Sequence, residues 1–316
     1  MSRIAVTASI VCLFILLPVS GSAEVSFVDS SGKTVTVAQP FSRIISLYSA
    51  HTENLMSLGA EGELIGISTT DDYPPQALTK PRYSYREDPE KFIAARPDLV
   101  LVRPMIERSY PQLIDKLRQA GITVISLQPT SVEEIFDYWL SLGKLTGRTA
   151  EAQDMISRFQ KDLAEISARI AQIPFTQRRR VYFEAIHNKM KTFAPTSIAI
   201  YTLEQAGGIN VAGDALRVRQ TNIAAYGKER ILAKSEEIDV FLAQRGRMNP
   251  VQLDAIKKEP GFQAVRAVRE GRVFLVDESI VSRPTLRIIE GIQAIGSILY
   301  PEIFQHRITE AGGYGR

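Results

Sequence analysis

Basic, aromatic and imidazole side chains stand directly after short apolar runs of the sequence. Tyr48 and His51 follow the run 43–47, and Arg103 follows the run 98–102. Near-continuous apolar runs of this length are typical of strands buried on both faces of a parallel sheet. Ligands of open α/β sheets lie outside the carboxyl ends of the strands, so we expect these three side chains at a binding site.

The second half of the chain shows the same arrangement. The side chains that follow its apolar runs 181–185, 238–242 and 272–276 include His187, Lys191, Arg245 and Arg283. Arginine binds carboxylates through two parallel N–H bonds, and histidine and tyrosine are axial ligands of haem iron. The set therefore suits an anionic ligand, and His51 and His187 are also candidate ligands of a metal.

Helical patterns alternate with the apolar runs. In the first half the runs 43–47, 64–68, 98–102 and 123–127 are separated by helical stretches at 52–58 and 110–119, and Ser131 with Glu134 predicts a capping box that starts another helix. The alternation restarts at 181 and ends in a helical stretch at 285–299. This pattern predicts an α/β fold of two doubly wound lobes.

One long amphipathic pattern separates the two halves. Apolar residues recur at steps of three and four from 149 to 173, and Pro174 ends the pattern. Such a helix is roughly 35 to 40 Å long, enough to join two lobes. We therefore predict a signal peptide at 1–23, an N-terminal lobe at 24–145, an interdomain helix at 146–174 and a C-terminal lobe at 175–316, with the ligand cleft between the lobes.

The two halves also share a weak repeat. EKFIAARPDLVL, which begins at Glu90, is similar to ERILAKSEEIDVFL, which begins at Glu229. Each glutamate falls in the first turn of a short helix, where the helix dipole favours it; for the first helix Asp88 is the expected N-cap and Pro89 the first helical residue. The glutamates either stabilise the helix starts or contact a partner.

The composition and the N-terminal residues limit the possible classes of function. With 45% hydrophobic and 23% charged residues the chain is globular, and a net charge of +3 is too small for a nucleic-acid binder. A positive start, an apolar stretch from 4 to 19 and small residues up to Ala23 predict a signal peptide cleaved after Ala23; an uncleaved anchor is the alternative. Cleavage removes Cys12, the one cysteine, so we expect no disulfide and no lipid-modified cysteine.

The chain resembles the periplasmic substrate-binding proteins of ABC importers for ferric siderophores, haem and cobalamin. The resemblance runs from about 43 to 304, through the ordered series RIISLYSAHTENLMSLGAEGELIGISTTDDYP, DPEKFIAARPDLVLVRP, AGGIN, KERILA and EGRVFLVDE. It implies a periplasmic, monomeric protein with a ligand cleft between two α/β lobes. The implied function is to capture an iron chelate, a siderophore or haem, and deliver it to an ABC importer permease with its ATPase subunits.

The resemblance also assigns residues. It implies that Glu90 and Glu229 dock onto arginines of the permease, and it places Tyr83, Tyr85 and Arg86 in a ligand-contacting loop, with Tyr85 as a third candidate axial ligand. No catalytic cofactor is implied, because the iron chelate or corrinoid is cargo. Cobalamin is the alternative ligand; the positions that match the aromatic residues of cobalamin-binding relatives hold Ser84, Thr70 and Ile223 here.

Two other classes of function remain open at this point. An exported hydrolase would use His51 or His187 as a base with Asp71 or Asp72, although the sequence has no nucleophile elbow, HExxH motif or phosphate-binding loop. A binder of a bare metal ion such as zinc needs three or four His, Asp, Glu or Cys ligands. We expect a binding protein rather than an enzyme.

Overall fold

The computed structural model describes residues 25–218 and 221–304. The expected signal peptide lies outside these residues. The strands are β1 (Val25–Val28), β2 (Thr34–Val37), β3 (Ile44–Ser46), β4 (Leu64–Ser68), β5 (Arg82–Tyr83), β6 (Leu99–Val102), β7 (Thr123–Ser126), β8 (Arg180–Ile186), β9 (Lys191–Phe193), β10 (Ile209–Asn210), β11 (Leu216–Arg217), β12 (Ile223–Ala225), β13 (Val240–Arg245) and β14 (Val273–Asp277).

The helices alternate with these strands. They are α1 (Ser49–Ser57), α2 (Pro89–Ala95), α3 (Pro104–Ser109), α4 (Pro111–Gln119), α5 (Glu133–Thr146), α6 (Thr149–Ile170), α7 (Ile198–Gln205), α8 (Lys228–Ala233), α9 (Leu253–Lys257), α10 (Arg266–Arg269), α11 (Glu278–Val281), α12 (Ile288–Leu299) and α13 (Pro301–Phe304). No helix within the described ranges combines the length and apolar character that crossing a membrane requires.

The first sheet is parallel and buried on both faces. Its strand order is β5-β4-β3-β6-β7, and every pairing in it is parallel. In β6, Leu99 and Leu101 join one apolar cluster while Val100 and Val102 join another. Because successive side chains of a strand point to opposite faces, a run without polar residues needs an apolar layer on each side. The predicted parallel sheet is therefore confirmed.

The second sheet is mixed. Its order is β11-β12-β9-β8-β13-β14, with β10 beside β8. The central strands β8, β13 and β14 are parallel, whereas β9 is antiparallel to both β8 and β12. Two successive antiparallel pairings make β12 run in the same direction as β8. The α/β fold of two lobes is confirmed, with an antiparallel edge that the sequence pattern did not indicate.

The long helix α6 connects the two sheets through a shared core. Its apolar residues Ala152, Met155 and Phe159 belong to the same buried cluster as Leu99 of the first sheet and Phe183 of the second. This continuous layer opposes large relative motion of the lobes, since protein interiors pack densely. The helix ends at Ile170, three residues before the predicted end.

Two helix starts differ from the sequence pattern. α5 begins at Glu133 with Val132 as N-cap, so the capping box predicted at Ser131 does not form; the Glu134 carboxylate accepts a bond from Thr130 N at 2.6 Å instead. α12 begins at Ile288, three residues after the expected start. The loop 282–287 before it contacts the first lobe through the Pro284 carbonyl, which accepts bonds from Asn54 Nδ2 and Trp139 Nε1.

Candidate functional site

A cleft lies at the carboxyl edge of the second sheet, facing the first lobe. It has a volume of about 400 Å³, within the range of small-molecule sites. β13 ends at Arg245 and β14 ends at Asp277, which places both side chains at its rim. The full lining is Asp72, Arg245, Gly246, Arg247, Pro250, Gln252, Asp277, Glu278, Ser279 and Arg283.

Arg283 of the second lobe is held by two carboxylates of the first. Its Nη1 and Nη2 donate to Asp72 Oδ1 at 2.6 Å and Oδ2 at 2.9 Å, and Nη1 also donates to Glu53 Oε1 at 2.7 Å. A two-point guanidinium–carboxylate contact fixes orientation as well as distance. The bond from Arg283 holds the pKa of Asp72 below its usual range.

Glu53 is the buried partner of this group. Its side chain is 3% exposed, and burial raises its pKa although Arg283 donates to it. The second oxygen, Oε2, accepts no hydrogen bond within the described residues and faces Arg287 Nη1 at 3.7 Å. Two carboxylates from one lobe and two guanidinium groups from the other thus form a charge-balanced contact beside the cleft.

A polar network under the turn 69–73 sets the position of Asp72. The buried Asp71 carboxylate accepts bonds from Ser49 Oγ at 2.8 Å, from Thr52 Oγ1 at 2.6 Å and from Ser68 N at 3.2 Å. Burial raises the pKa of Asp71, against the effect of these donors. Since Asp71 is anchored, the next residue is presented to Arg283.

Charge in the cleft is balanced between arginines and acids. Arg245 and Arg247 are exposed and form no ion pair within the described residues, and Arg283 is neutralised by Asp72 and Glu53. Asp277 caps α11 by accepting from Ser279 N at 2.7 Å, and Glu278 Oε2 accepts from Met248 N at 2.9 Å. The lining therefore combines three arginines with three carboxylates.

Two of the ten predicted ligand-binding residues, Arg245 and Arg283, line this cavity. Tyr48 is half-buried at the start of α1, and the Arg103 guanidinium lies over its ring at 5.1 Å from the centroid. Burial raises the pKa of Tyr48. The pair sits where predicted, after β3 and β6, on the first-lobe side.

His51 does not face the cleft. It is 0% exposed, its Nε2 lies 3.0 Å from Val102 O, and its Nδ1 lies 2.7 Å from Tyr138 Oη. The carbonyl only accepts, so Nε2 carries the proton and Tyr138 O–H donates to Nδ1. Burial lowers the pKa of His51 to about 4. Both ring nitrogens are engaged, so this arrangement leaves neither open to a metal, contrary to the expected ligand role.

His187 is engaged with carboxylates. Its Nδ1 donates to the fully buried Glu184, at 3.0 Å from Oε2, and its Nε2 lies 3.8 Å from Glu259 Oε2. The bond to Glu184 raises the pKa of His187. Lys228 pairs with Glu259 on the far side. Glu184, His187, Glu259 and Lys228 therefore form a line in which acidic and basic groups alternate. Lys228 is the first residue of α8.

The other predicted loop residues lie apart from this cavity. Tyr83 is 6% exposed, and its ring packs on Phe92 at 5.0 Å between centroids. Tyr85 is half-buried beside Tyr110, 4.7 Å between ring centroids. Arg86 is exposed and donates to Tyr110 Oη at 3.2 Å. Lys191, half-buried at the start of β9, is not among the lining residues.

Glu90 and Glu229 occupy equivalent places on the two lobes. α2 follows the parallel strand β5, and α8 follows β12, which runs in the direction of β8, so both helices begin at the carboxyl edge of their sheet. The N-cap predicted at Asp88 is confirmed, because its carboxylate accepts from Glu90 N at 3.1 Å. α8 begins at Lys228, and its N-cap residue Gly227 provides no side-chain cap.

Sequence reasoning missed Glu53 and Asn54 as cleft-supporting residues. All of α1 from Ser49 to Leu55 is buried, although its sequence SAHTENL is mostly polar. The sequence signal for these two residues was the run of polar residues within the helix. Among the described residues no three His, Cys, Asp or Glu side chains converge in a way that suits a metal ion.

Two α/β sheets joined by a long helix, with a cleft at their carboxyl edges, define the class of two-lobed solute-binding proteins. The chain belongs to the periplasmic binding protein family, whose model matches residues 44–280. This is a family of solute-binding proteins rather than of enzymes.

Individual relatives agree with that family. The chain is 26% identical over 281 residues to an uncharacterized ABC transporter substrate-binding lipoprotein of Bacillus subtilis, covering 88% of this chain and 86% of that protein. It is 25% identical over 267 residues to a vitamin B12-binding protein of Vibrio cholerae, covering 83% and 91%. A solved structure of a possible iron-binding periplasmic solute-binding protein from Staphylococcus epidermidis superposes with a TM-score of 0.71 at 27% identity, covering 83% and 100%.

Proposed function

We propose that this chain is an exported solute-binding protein that captures a metal chelate in the interlobe cleft and delivers it to an ABC importer permease. The observation that carries the proposal is the cavity of about 400 Å³ at the carboxyl ends of the parallel strands β13 and β14, with Asp72 of the opposite lobe in its lining. A site that takes contacts from both lobes suits a ligand that is held on two sides until it is delivered.

The ligand classes are an iron chelate, either a siderophore or haem, and a corrinoid. A haem held by the protein takes an axial ligand from it. Both ring nitrogens of His51 are bonded, to Tyr138 and Val102. His187 donates from Nδ1 to Glu184, and its Nε2 lies 3.8 Å from Glu259 Oε2, beyond hydrogen-bond distance. His187 and Tyr85 are then the remaining candidates, and neither lines the cavity, which favours a chelate whose metal is fully coordinated by its own ligand, a siderophore or a corrinoid, over haem.

A corrinoid has a specific observation in its favour. The cleft balances Arg245, Arg247 and Arg283 against Asp72, Asp277 and Glu278. A strongly anionic siderophore is best held by an excess of positive charge, whereas a ligand rich in amide groups needs both acceptors and donors. The vitamin B12-binding relative points the same way. The absence of aromatic residues at Ser84, Thr70 and Ile223 weighs on the other side.

Delivery is assigned to Glu90 and Glu229. Both are exposed, and neither forms an ion pair within the described residues. The nearby cations are neutralised internally: Lys91 by Glu87, Lys228 by Glu259, and Arg230 by Asp214. Each helix therefore presents one unpaired negative charge, which complementary basic residues of a permease would recognise.

The proposal is tested by following the melting temperature of the purified protein with three groups of compounds. These are chelates (cyanocobalamin, haemin, ferrichrome and ferric citrate), bare zinc and iron salts, and ester and phosphate substrates. We expect one chelate to raise the melting temperature in a saturable manner, because a ligand that binds only the folded state stabilises it. A shift with bare zinc alone, or turnover of an ester, would replace the proposed function.

A further inference from the structure

The loop 282–287 of the second lobe is attached to the first lobe through one backbone carbonyl. Pro284 O accepts from Asn54 Nδ2 at 2.9 Å and from Trp139 Nε1 at 3.1 Å. Asn54 lies in α1 and Trp139 in α5, and both side chains are fully buried. Two donors from different helices converge on a single acceptor, so the carbonyl is fixed in two directions.

The donor Asn54 is itself held by a buried chain of hydrogen bonds. Its Nδ2 also donates to Tyr138 Oη at 3.2 Å, Tyr138 donates to His51 Nδ1 at 2.7 Å, and His51 donates to Val102 O at 3.0 Å. Asn54 Oδ1 has no partner within the described residues, so it is the amide donors that matter at this position. The chain connects the end of β6 with Pro284 of the other lobe.

Arg283 precedes Pro284 and shares a peptide bond with it. Its guanidinium lines the cleft and is bound by Asp72 and Glu53. A proline has a fixed φ and restricts the conformation of the residue before it. Movement of the Pro284 carbonyl therefore moves the backbone that carries Arg283.

We propose that Asn54 and Trp139 are positioning residues of the cleft: by holding the Pro284 carbonyl they place Arg283 against Asp72, so that the cleft is assembled before ligand enters. The consequence for binding rests on the proposed function, whereas the placement of Arg283 does not. Neither residue touches the cavity, so their effect on ligand passes through Arg283.

A thermodynamic cycle in the ligand-free protein tests the placement. Asn54→Leu removes its donor with little change of volume, Trp139→Phe removes its donor together with part of the buried indole, and Arg283→Met removes the guanidinium. We expect each donor variant, combined with Arg283→Met, to lower the urea midpoint by clearly less than the sum of the single changes, because the donors support a contact that is already lost.

Tyr300→Phe is the matched control. It removes a buried hydroxyl that donates to Gly207 O at 2.9 Å within the second lobe, and it should combine additively with Arg283→Met. Additive behaviour of both donor variants overturns the proposal. If Asn54→Leu does not fold, Trp139→Phe, which keeps an aromatic ring in the same place, decides the test.

Ligand affinity is the readout that a merely structural role would not change. With whichever of cyanocobalamin, haemin or ferrichrome binds the wild type, Trp139→Phe should weaken binding about tenfold, with little further loss in the Arg283→Met background. Reduced stability with unchanged affinity overturns the positioning role. If no probe binds, the proposed ligand class is wrong, and the ligand-free cycle still decides the placement of Arg283.

Discussion

Arg283 and Asp72 meet across the lobe boundary in a two-point ion pair, with N–O distances of 2.6 and 2.9 Å. The arginine comes from the second lobe and the aspartate from the first. A ligand that reaches this end of the cleft therefore meets a guanidinium already bonded to a carboxylate. We propose that Arg283 contacts the ligand through its remaining donors, or after Asp72 has been displaced.

Removing Arg283 should cost far more stability than removing the Asp72 charge. Arg283→Met leaves Glu53, which is 3% exposed, without its strongest partner, and breaking a buried pair in this way costs about 3 to 5 kcal/mol. Asp72 is 56% exposed, so Asp72→Asn should cost about 1 kcal/mol or less. Urea unfolding at neutral pH measures both values.

The pH dependence of Arg283→Met provides the control for that explanation. Burial already raises the pKa of Glu53, and loss of Arg283 raises it further. Because the folded variant then binds a proton more readily than the unfolded chain, its stability should recover relative to wild type as the pH is lowered. Equal costs for the two substitutions, or no recovery at low pH, would contradict the buried-pair account.

Arg245 should contribute directly to ligand affinity. It lines the cavity and forms no ion pair within the described residues, so its donors are open to a ligand. A charge-assisted contact partly shielded from water is worth about 1.5 to 3 kcal/mol, so Arg245→Ala should raise the dissociation constant about tenfold to hundredfold. Calorimetric titration of the cognate chelate at two salt concentrations measures the change.

Arg103 and Arg179 complete that comparison. Arg103→Ala should also raise the dissociation constant, because Arg103 lies over the Tyr48 ring after β6. Arg179 is an exposed residue directly before β8, and Arg179→Ala should leave the dissociation constant unchanged. If Arg245→Ala, Arg103→Ala and Arg179→Ala all weaken binding equally and the effect disappears at high salt, the arginines attract the ligand only through long-range electrostatics and make no direct contact with it.

Reversal of both docking charges should abolish uptake without affecting capture. Glu90→Lys with Glu229→Lys places two positive charges where each lobe presents an unpaired carboxylate, and like charges oppose association with a basic permease surface. Uptake of the chelate by whole cells should fall to background, with a dissociation constant close to that of wild type. Glu61→Lys with Asp254→Lys, two exposed acids away from α2 and α8, is the charge-matched control. Normal uptake by the Glu90→Lys, Glu229→Lys variant would show that these two residues do not dock onto the permease.

The pKa values of the two described histidines should be shifted from 6.5 in opposite directions. His51 has a pKa lowered to about 4 from 6.5 by burial. The unfolded chain therefore binds the proton first, and the stabilisation from a neutral His51 is complete above pH 6.5 and is lost as the pH falls towards 4. The loss amounts to about 3 kcal/mol. His187 is different: its pKa is raised by Glu184, so its stabilisation is complete below pH 6.5 and is lost as the pH rises through the folded pKa.

Proton NMR of the imidazole signals measures both pKa values, since the chain has 3 histidines. His51→Asn and His187→Gln assign the signals. An imidazole of His51 that titrates near 6.5 would show that water reaches the ring, and its candidacy as a cleft ligand would return.

The sheets were predictable from sequence because their chemistry is local. Apolar runs such as 98–102 face apolar layers on both sides, and the polar residues after them mark the carboxyl edge, as Arg245 and Asp277 confirm. The capping residue Asp88 is similarly determined by its immediate neighbours.

The contacts between lobes were not predictable in the same way. His51 follows an apolar run just as Arg103 does, but it is buried against Tyr138 and Val102, and its neighbour Asn54 donates to Pro284 O, 230 residues away in the chain. The pairing of Glu53 with Arg283 has the same origin. No periodicity records which loop of one lobe will cover a helix of the other, so polar residues in such a contact resemble ligand-binding residues in the sequence.

The absorption spectrum and metal content of the protein isolated from its native host test the central claim most directly. The account predicts a chelate bound one per chain, seen as a corrin spectrum or a siderophore charge-transfer band. A Soret band would instead identify the ligand as haem, with Tyr85 or His187 as the candidate axial ligand. The bound chelate should be lost on unfolding, and Arg245→Ala should reduce its occupancy. A protein that stays colourless and metal-free, both as isolated and after incubation with each chelate class, would contradict the account.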